Sequence, residues 1–502
     1  MATEKSNQVY NPFLPLDVYI PDGEPHVFGN RVYLFGSHDK EGGETFCMLD
    51  YDVYSAPVTD LTKWEKEGTI YQAKQDPDYM QPNFRMYAPD VVQGVDGRYY
   101  LYYAMAGSTF TSPIHVAVCD RPAGKYEYFG CVRNSDSSPY TRCITFDPAV
   151  INDDGKIWLY YGWSLGINRP LNANEASDED VKAMEEQLIQ IQMQMFGKTK
   201  REVTEEPKGI MGANVVRIAD DMLTVISEPA RIVPGQFNTR GTSFEEHGFF
   251  EASSIRKIED TYFFIYSSEK HHELCYATSR YPNKDFVFRG TIISNGDIGF
   301  QGRKDRERVN TTGNNHGSIE CINGEWYVFY HRHTHKSLCS RQACAEKIVI
   351  MEDGEIQQVE MTSAGLNGGP LKAKGHYSAV IACNLSNGNM PHIETGIARE
   401  NIPYITHENE RRFITGIENN TIIGYKYFEF TGKTSFYISF RGNVEGDMQV
   451  IAGDKVIAVI QVEHSDMWKK SGVKIDIYGT QALYLKYQGT GKMDLAGIEF
   501  ND

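Results

Sequence analysis

The sequence predicts an all-β protein, a five-bladed β-propeller over residues 1–365 followed by a β-sandwich over residues 370–502. Three observations carry that prediction. One hairpin-like stretch is written five times. Tyrosine and phenylalanine, 31 and 25 in number, suit β-rich structure. The last stretch of chain is a run of short alternating strands. At 502 residues the chain is too long for one ordinary core and calls for two or more domains.

The clearest copy of the repeat is DPAVINDDGKIWLYYG, Asp147 to Gly162. An acidic residue leads into a short apolar strand, a turn of Asp, Asn or Gly, and an aromatic-rich strand. The other copies are EPHVFGNRVYLFGSH from Glu24, PDVVQGVDGRYYLYYA from Pro89, EASSIRKIEDTYFFIYS from Glu251 and NHGSIECINGEWYVFYH from Asn315. Each reads as a β-hairpin. Asp22, Asp90, Asp147, Glu251 and His316 stand at the five entrances, 57 to 68 residues apart except for one step of 104. A lone hairpin cannot bury its own face, so the copies must stack. Roughly 60 residues per unit is enough for a four-stranded propeller blade. With the marked strand innermost, five polar groups converge at one mouth of the channel.

Taken in order, the PDG turn sets Asp22 just before the first hairpin, and residues 51–71 supply that blade's outer strands. The second unit opens at Met86 to Asp90 and continues into VAVCDRPAGKYEYFG; the third opens at Ile144 to Pro148. Between Gly166 and Gly212 the rhythm breaks. SDEDVKAMEEQLIQIQMQMFGKTKREV is the one strong helix, with Ser177 as N-cap, acidic residues in its first turn and Lys198, Lys200 and Arg201 beyond its end. This insertion explains the long step. It reads as a helix packed on the rim, with a lid or a dimer contact as the functional readings. His247 to Glu251 opens the fourth unit and Asn314 to Gly317 the fifth. The glycine-rich AGLNGGP, residues 364–370, reads as a linker, and about seven strands after it read as a sandwich.

A net charge of −17 argues against nucleic acid as a partner, because phosphate binding needs a basic face. A neutral or small ligand fits better. The start, MATEKSNQVYNPF, holds no apolar export segment, and no run is long enough to span a membrane. Nine cysteines without metal-finger spacing read as reduced, mostly buried thiols, which points to the cytoplasm.

Carboxylates gathered at one mouth push each other's pKa values apart, so that one acts as an acid and another as a base. Such a pair flanking a sugar ring is what glycoside hydrolysis needs. A separation of about 6.5–9.5 Å admits a water and inverts the configuration, whereas about 5–5.5 Å implies a retaining nucleophile. Placement on different blades across an axis favours the wider gap.

At this point PDGEPHVF, FDPAVINDDGKIWLYYG, FFEASSIRKIEDTYFFIYS and NNHGSIECINGEWYVFYH resemble the motifs of glycoside hydrolase family 43, over roughly residues 10–360. The resemblance implies a five-bladed propeller, inversion of configuration and no required cofactor. It makes Asp22 the general base and Glu251 the general acid. Asp147 would orient that acid and raise its pKa, and Asp90 would line the substrate site. His316 would reach the channel centre and contact a water cluster or, through waters, a structural calcium. The first motif departs from the commoner Asp-Pro form, which makes Glu24 a rival for the base; Asp22 is preferred because Pro25 to Phe28 then aligns with the strand start. Arg332, just after the fifth hairpin, reads as a ligand for a substrate hydroxyl, as the charge that keeps Asp22 ionised, or as a surface arginine. The implied partner is an oligosaccharide from the plant cell wall. The implied substrate is a pentoside, α-L-arabinofuranoside first, with a β-D-xyloside or β-D-galactofuranoside as alternatives, and an insertion at 166–212 that closes the site favours exo release of the terminal sugar. The non-enzymatic alternative is a glycan-binding propeller. The closing stretch ALYLKYQGTGKMDLAGIEF resembles a family 6 carbohydrate-binding module, with Trp468, Tyr478 and Tyr487 as candidate sugar platforms. A domain that only braces the propeller is the rival reading.

Overall fold

Each of the five repeats becomes the inner hairpin of one antiparallel sheet in the computed structural model, which describes residues 8–79, 85–106, 112–164, 177–196, 199–205, 211–393 and 401–501. Blade one is β1 (Glu24–Phe28), β2 (Arg31–Phe35), β3 (Tyr51–Pro57) and β4 (Glu65–Tyr71). Blade two is β5 (Arg85–Gln93), β6 (Tyr99–Ala106), β7 (Ile114–Cys119) and β8 (Glu127–Cys131). Blade three is β9 (Ala149–Asp153), β10 (Lys156–Trp163), β11 (Gly212–Ile218) and β12 (Ala230–Pro234). Blade four is β13 (Phe249–Ile258), β14 (Thr261–Ser268), β15 (Leu274–Ser279) and β16 (Val287–Ile293). Blade five has three strands, β17 (Ser318–Ile322), β18 (Glu325–His333) and β19 (Arg341–Ile348).

The turn residues set the hairpins. Asp154-Gly155 has φ values of 50° and 82°, and Asn323-Gly324 has 53° and 84°. Both pairs occupy the left-handed region at two successive positions, the type I′ geometry whose twist matches the flanking strands. The innermost strands β1, β5, β9, β13 and β17 lie side by side and close the ring through β1 and β17. Blade five borrows its outer edge from the start of the chain. Phe13 N donates to the Ala343 carbonyl at 3.2 Å, and the Asn11 side chain exchanges bonds of 3.0 and 3.1 Å with Ala345. First and last blades are thereby clasped, and an exposed sheet edge is covered.

The core lies between blades. Tyr102, Val116, Leu159 and Tyr161 are buried where blades two and three face each other; Tyr160, Val215, Phe264 and Tyr266 are buried between three and four. The insertion forms α1 (Asp178–Phe196), starting directly after Ser177, and a second helix, α2 (Lys200–Glu205), tied back to it by Lys200–Glu186 at 2.7 Å. The rest of the insertion, residues 166–176, 197–198 and 206–210, lies outside the described residues, as does the first heptapeptide of the chain.

The C-terminal region is a seven-stranded sheet built on β20 (Leu371–Lys372), β21 (Gly375–Ser378), β22 (Asn384–Ser386), β23 (Tyr404–Glu408), β24 (Arg411–Ile417), β25 (Ile422–Ala452) and β26 (Lys455–Asn501). The separate short strands read from the sequence run together here. Met448 pairs with Ile460 on one side and with Tyr487 on the other, because β26 folds back along both edges of β25. Polar residues inside these stretches mark bends, not breaks. The enclosed core is Phe436, Ile438, Phe440, Val450 and Leu485 among others, separate from the propeller's. Of the three candidate sugar platforms, Tyr487 is buried with its hydroxyl bonded to the Thr490 carbonyl at 2.5 Å. Trp468 has Arg411 and Arg441 over its ring at 5.2 and 4.6 Å. Tyr478 is 69% exposed.

Candidate active site

The chain arrives at the channel mouth in strained backbone. Asp22, immediately before β1, has φ 56°; Asp147, before β9, has φ 45°; and Ala252, next to Glu251 in β13, has φ 71°. Non-glycine residues held there cost about 1–3 kcal/mol each and cluster at functional sites. In β13 the register also shifts between Phe249 and Glu251 and again between Glu251 and Ser254. A bulge of this kind re-aims a side chain.

These elements bring Asp22, Asp147, Glu251 and His316 together. His316 Nδ1 lies 3.9 Å from Asp22 Oδ1 and 3.7 Å from Asp147 Oδ2. The Ala252 amide donates to Asp147 Oδ2 at 2.9 Å, and the indole of Trp163 is hydrogen-bonded to Glu251. Burial alone would push the Asp22 carboxyl up, but Arg341 beside it wins and holds it below the usual carboxylate range. Arg341 Nη1 donates to Asp22 Oδ1 at 2.8 Å. His331 and His316 also border Asp22, yet burial drives their own pKa values down to about 3 and about 4. Both are neutral at ordinary pH, so the guanidinium is the effective countercharge. Glu251 goes the other way: burial, reinforced by the Asp22 charge, pushes it up to about 8. Asp147 is raised as well, by burial and by Glu251 and Asp22. One mouth therefore holds an ionised carboxylate and a protonated one.

Two sequence readings change and one rival falls away. Arg332 is neither a substrate ligand nor the partner of Asp22. It is buried, and its guanidinium donates to the Ala382 and Val380 carbonyls of the C-terminal region. The countercharge to Asp22 comes instead from Arg341 in β19, one register position from the partner of Arg332, and it also grips Asp39 with Nε and Nη2 at 2.8 and 3.0 Å. The legible signal was an arginine opening the strand RQACAEKI, ahead of the small residues Ala343 to Ala345. Asp90 likewise is fully buried, with both oxygens engaged by the protein. Its Oδ1 accepts from His26 Nε2 at 2.6 Å and from Val91 N at 2.7 Å, and its Oδ2 accepts from Val150 N at 2.7 Å, tying blades one, two and three. Glu24, the rival base, is engaged by Arg256 at 3.1 Å and pushed up by burial to about 8. That leaves it protonated where a base must be ionised.

The calcium reading fits poorly. Calcium takes six to eight oxygens, and His316 offers one nitrogen. The carboxylates beside it are committed to Arg341 and to the Ala252 amide. Residues missed in the sequence form the aromatic rim: Phe46 lies over Arg341 at 4.7 Å, Tyr87 packs on Phe146 at 5.3 Å, and Trp163 neighbours Phe250 at 6.3 Å.

The profile of "Glycosyl hydrolases family 43" matches residues 10–211. A xylosidase/arabinosidase of Thermoclostridium stercorarium is 42% identical over 97% of this chain and 98% of its own length. The chain belongs to glycoside hydrolase family 43. A second xylosidase/arabinosidase, from Bacteroides ovatus, is 28% identical over 62% of this chain and 86% of that one. Among solved structures, a family 43 enzyme from Xanthomonas citri complexed with xylose superposes with a TM-score of 0.51 at 22% identity, covering 70% of this chain and 94% of that one, a likeness of fold. The protein is a glycoside hydrolase with a carbohydrate substrate.

Proposed function

We propose that this protein is an inverting, exo-acting glycosidase that removes a terminal pentose, α-L-arabinofuranose ahead of β-D-xylose, from plant cell-wall oligosaccharides. One observation carries the reading: Asp22 is held ionised by Arg341 while Glu251, at the same mouth, is pushed up to about 8. Asp22 takes a proton from water as the oxygen attacks the anomeric carbon. Glu251 gives its proton to the leaving glycosidic oxygen as the C–O bond breaks. Asp147, bonded to the amide next to Glu251, positions the acid, while burial and the Asp22 charge keep the acid's pKa high. Two neutral sugars leave, and the carboxyls have exchanged protonation states until water resets them.

The xylosidase/arabinosidase names of the relatives support a pentose. A xylopyranose and an arabinofuranose both lack a bulky sixth-carbon arm, so one small pocket serves either. The nine free thiols fit a reducing, cytoplasmic setting. A panel of nitrophenyl glycosides of arabinofuranose, xylose, galactofuranose and galactose tests the sugar, with arabinofuranoside or xyloside turned over fastest. NMR of the first-formed product should show the inverted anomer; a retained anomer would reverse the role of Asp22. Glu251→Gln should lower turnover of disaccharides by about 10²–10⁴-fold while sugar binding persists; unchanged hydrolysis would end the assignment.

A further inference from the structure

A short piece of the C-terminal region is built into the rim of the catalytic mouth. Thr312 and His392 form a bridge between propeller and C-terminal region. Ile393 N donates to the Thr312 carbonyl at 2.8 Å, Thr312 N donates to the Pro391 carbonyl at 3.3 Å, and the Thr312 hydroxyl meets His392 Nδ1 at 2.9 Å. Thr312 lies only four positions before His316, which touches Asp22 and Asp147. The docked piece is therefore anchored to the segment that carries the channel's central imidazole.

From this anchor it reaches both halves of the site. On the acid side the His392 ring meets His272 edge-on at 4.9 Å. His272 stacks on Phe250 at 4.2 Å with an interplanar angle of 13°, and Phe250 is the neighbour of both Glu251 and Trp163. On the base side Met390, Ile393 and Ile402 pack with Leu338 and with Phe46, the ring over Arg341. Phe250, His272 and His392 are all only half-buried, so the row keeps surface for a ligand.

We infer that His392 belongs to a composite subsite, made jointly by propeller and C-terminal region, that binds the sugar on the leaving side of the scissile bond. This rests on the role proposed for Glu251. The acid must face the leaving oxygen, so the sugar attached through that oxygen lies on Glu251's side, where the ring row runs outward from Phe250 through His272 to His392. Sugar rings present C–H faces that pack on flat rings and hydroxyls that seek polar ring edges. A half-buried row of one phenyl and two imidazoles offers flat ring faces for that packing. The ligand class is a neutral pyranose unit of an oligosaccharide, here the second residue of a xylo- or arabinoxylo-oligosaccharide. A C-terminal region that served only as a brace would have no need to place a ring at the end of this row.

The test uses the full chain and two substrates with the same terminal sugar, a nitrophenyl pentoside and xylotriose or its arabinosylated equivalent. His392→Ala should raise KM for the oligosaccharide about tenfold with little change in kcat. The ratio of oligosaccharide to nitrophenyl kcat/KM should fall by a similar factor. His392→Phe, which keeps a flat ring, should recover most of that ratio; His392→Asn, which keeps a polar partner for Thr312 but no ring, should not. Thermal melting of each variant separates lost docking from lost sugar contact. Equal losses on both substrates, or recovery by Asn in place of Phe, would overturn the subsite. Wild-type protein that hydrolyses no pentoside would instead overturn the proposed function, independently of His392.

Discussion

At the scale of single residues the site runs on one arginine. Arg341 is 3% exposed and bonds Asp22 and Asp39 at once, so its charge is spent inside the protein, where little water screens it. Replacing it with lysine keeps the charge but loses the fork that fits two carboxylates. Arg341→Lys should lower kcat by roughly 10–100-fold and move the acidic limb of the pH–activity profile to higher pH, because Asp22 then ionises less readily. An acidic limb that stays in place would mean that another group sets it. The alkaline limb belongs to Glu251. Its pKa is raised to about 8, so the acid is protonated below that value and loses its proton above it. Activity should therefore hold through neutral pH and fall as pH rises past about 8. The same sign applies to stability: burial of Glu251 favours the protonated form, so this group's contribution is full below the ordinary carboxylate range and fades as pH rises toward 8.

At the scale of elements, catalytic geometry depends on a few left-handed backbone positions that open the inner strands. Ala252 at φ 71° both re-aims Glu251 and presents its amide to Asp147. A β-branched side chain resists this conformation, whereas glycine accepts it. Ala252→Val should lower Tm and kcat together by displacing the amide. Ala252→Gly should leave folding within about 1 kcal/mol of the parent, and calorimetry with steady-state kinetics on the pair separates strain from chemistry. The same positions show what was readable in advance. Asp154-Gly155 and Asn323-Gly324 announce their hairpins because turn chemistry is local. The entrances Asp22, Asp147 and Glu251 were found because they recur before the same strand pattern. The shift at Glu251 was not legible, since a bulge is defined by which partner residue stands opposite. The place of Arg332 was not legible for a related reason: it and Arg341 flank the turn from β18 to β19, and only the packed molecule decides which guanidinium faces the channel and which faces the C-terminal region. The continuous β25–β26 pairing hid behind its own bends.

At the scale of the whole molecule the question is whether propeller and C-terminal region fold as one body. Their contact is tied by buried charged groups. Lys426, in β25, is 2% exposed and bonds Asp297 at 3.2 Å and Glu360 at 2.8 Å on the propeller side. Asp297 is fully buried, its other oxygen taking the Met361 amide at 2.9 Å. Arg332 adds two bonds to the Val380 and Ala382 carbonyls, and Arg412 grips Glu41 at 2.6 and 3.0 Å. A buried ion pair adds little over a well-packed apolar one, but removing one partner leaves the other charge stranded, at a cost of about 3–5 kcal/mol. Lys426→Met should therefore lower stability by about that amount, and adding Asp297→Asn should restore part of it by removing the stranded charge. If the two regions are one cooperative unit, denaturant unfolding followed by tryptophan fluorescence, with Trp158 and Trp326 in the propeller and Trp468 beyond it, should show a single transition that shifts as a whole in Lys426→Met. Two transitions, with only the Trp468 signal shifting, would mean that the C-terminal region unfolds by itself and that the catalytic mouth tolerates its loss.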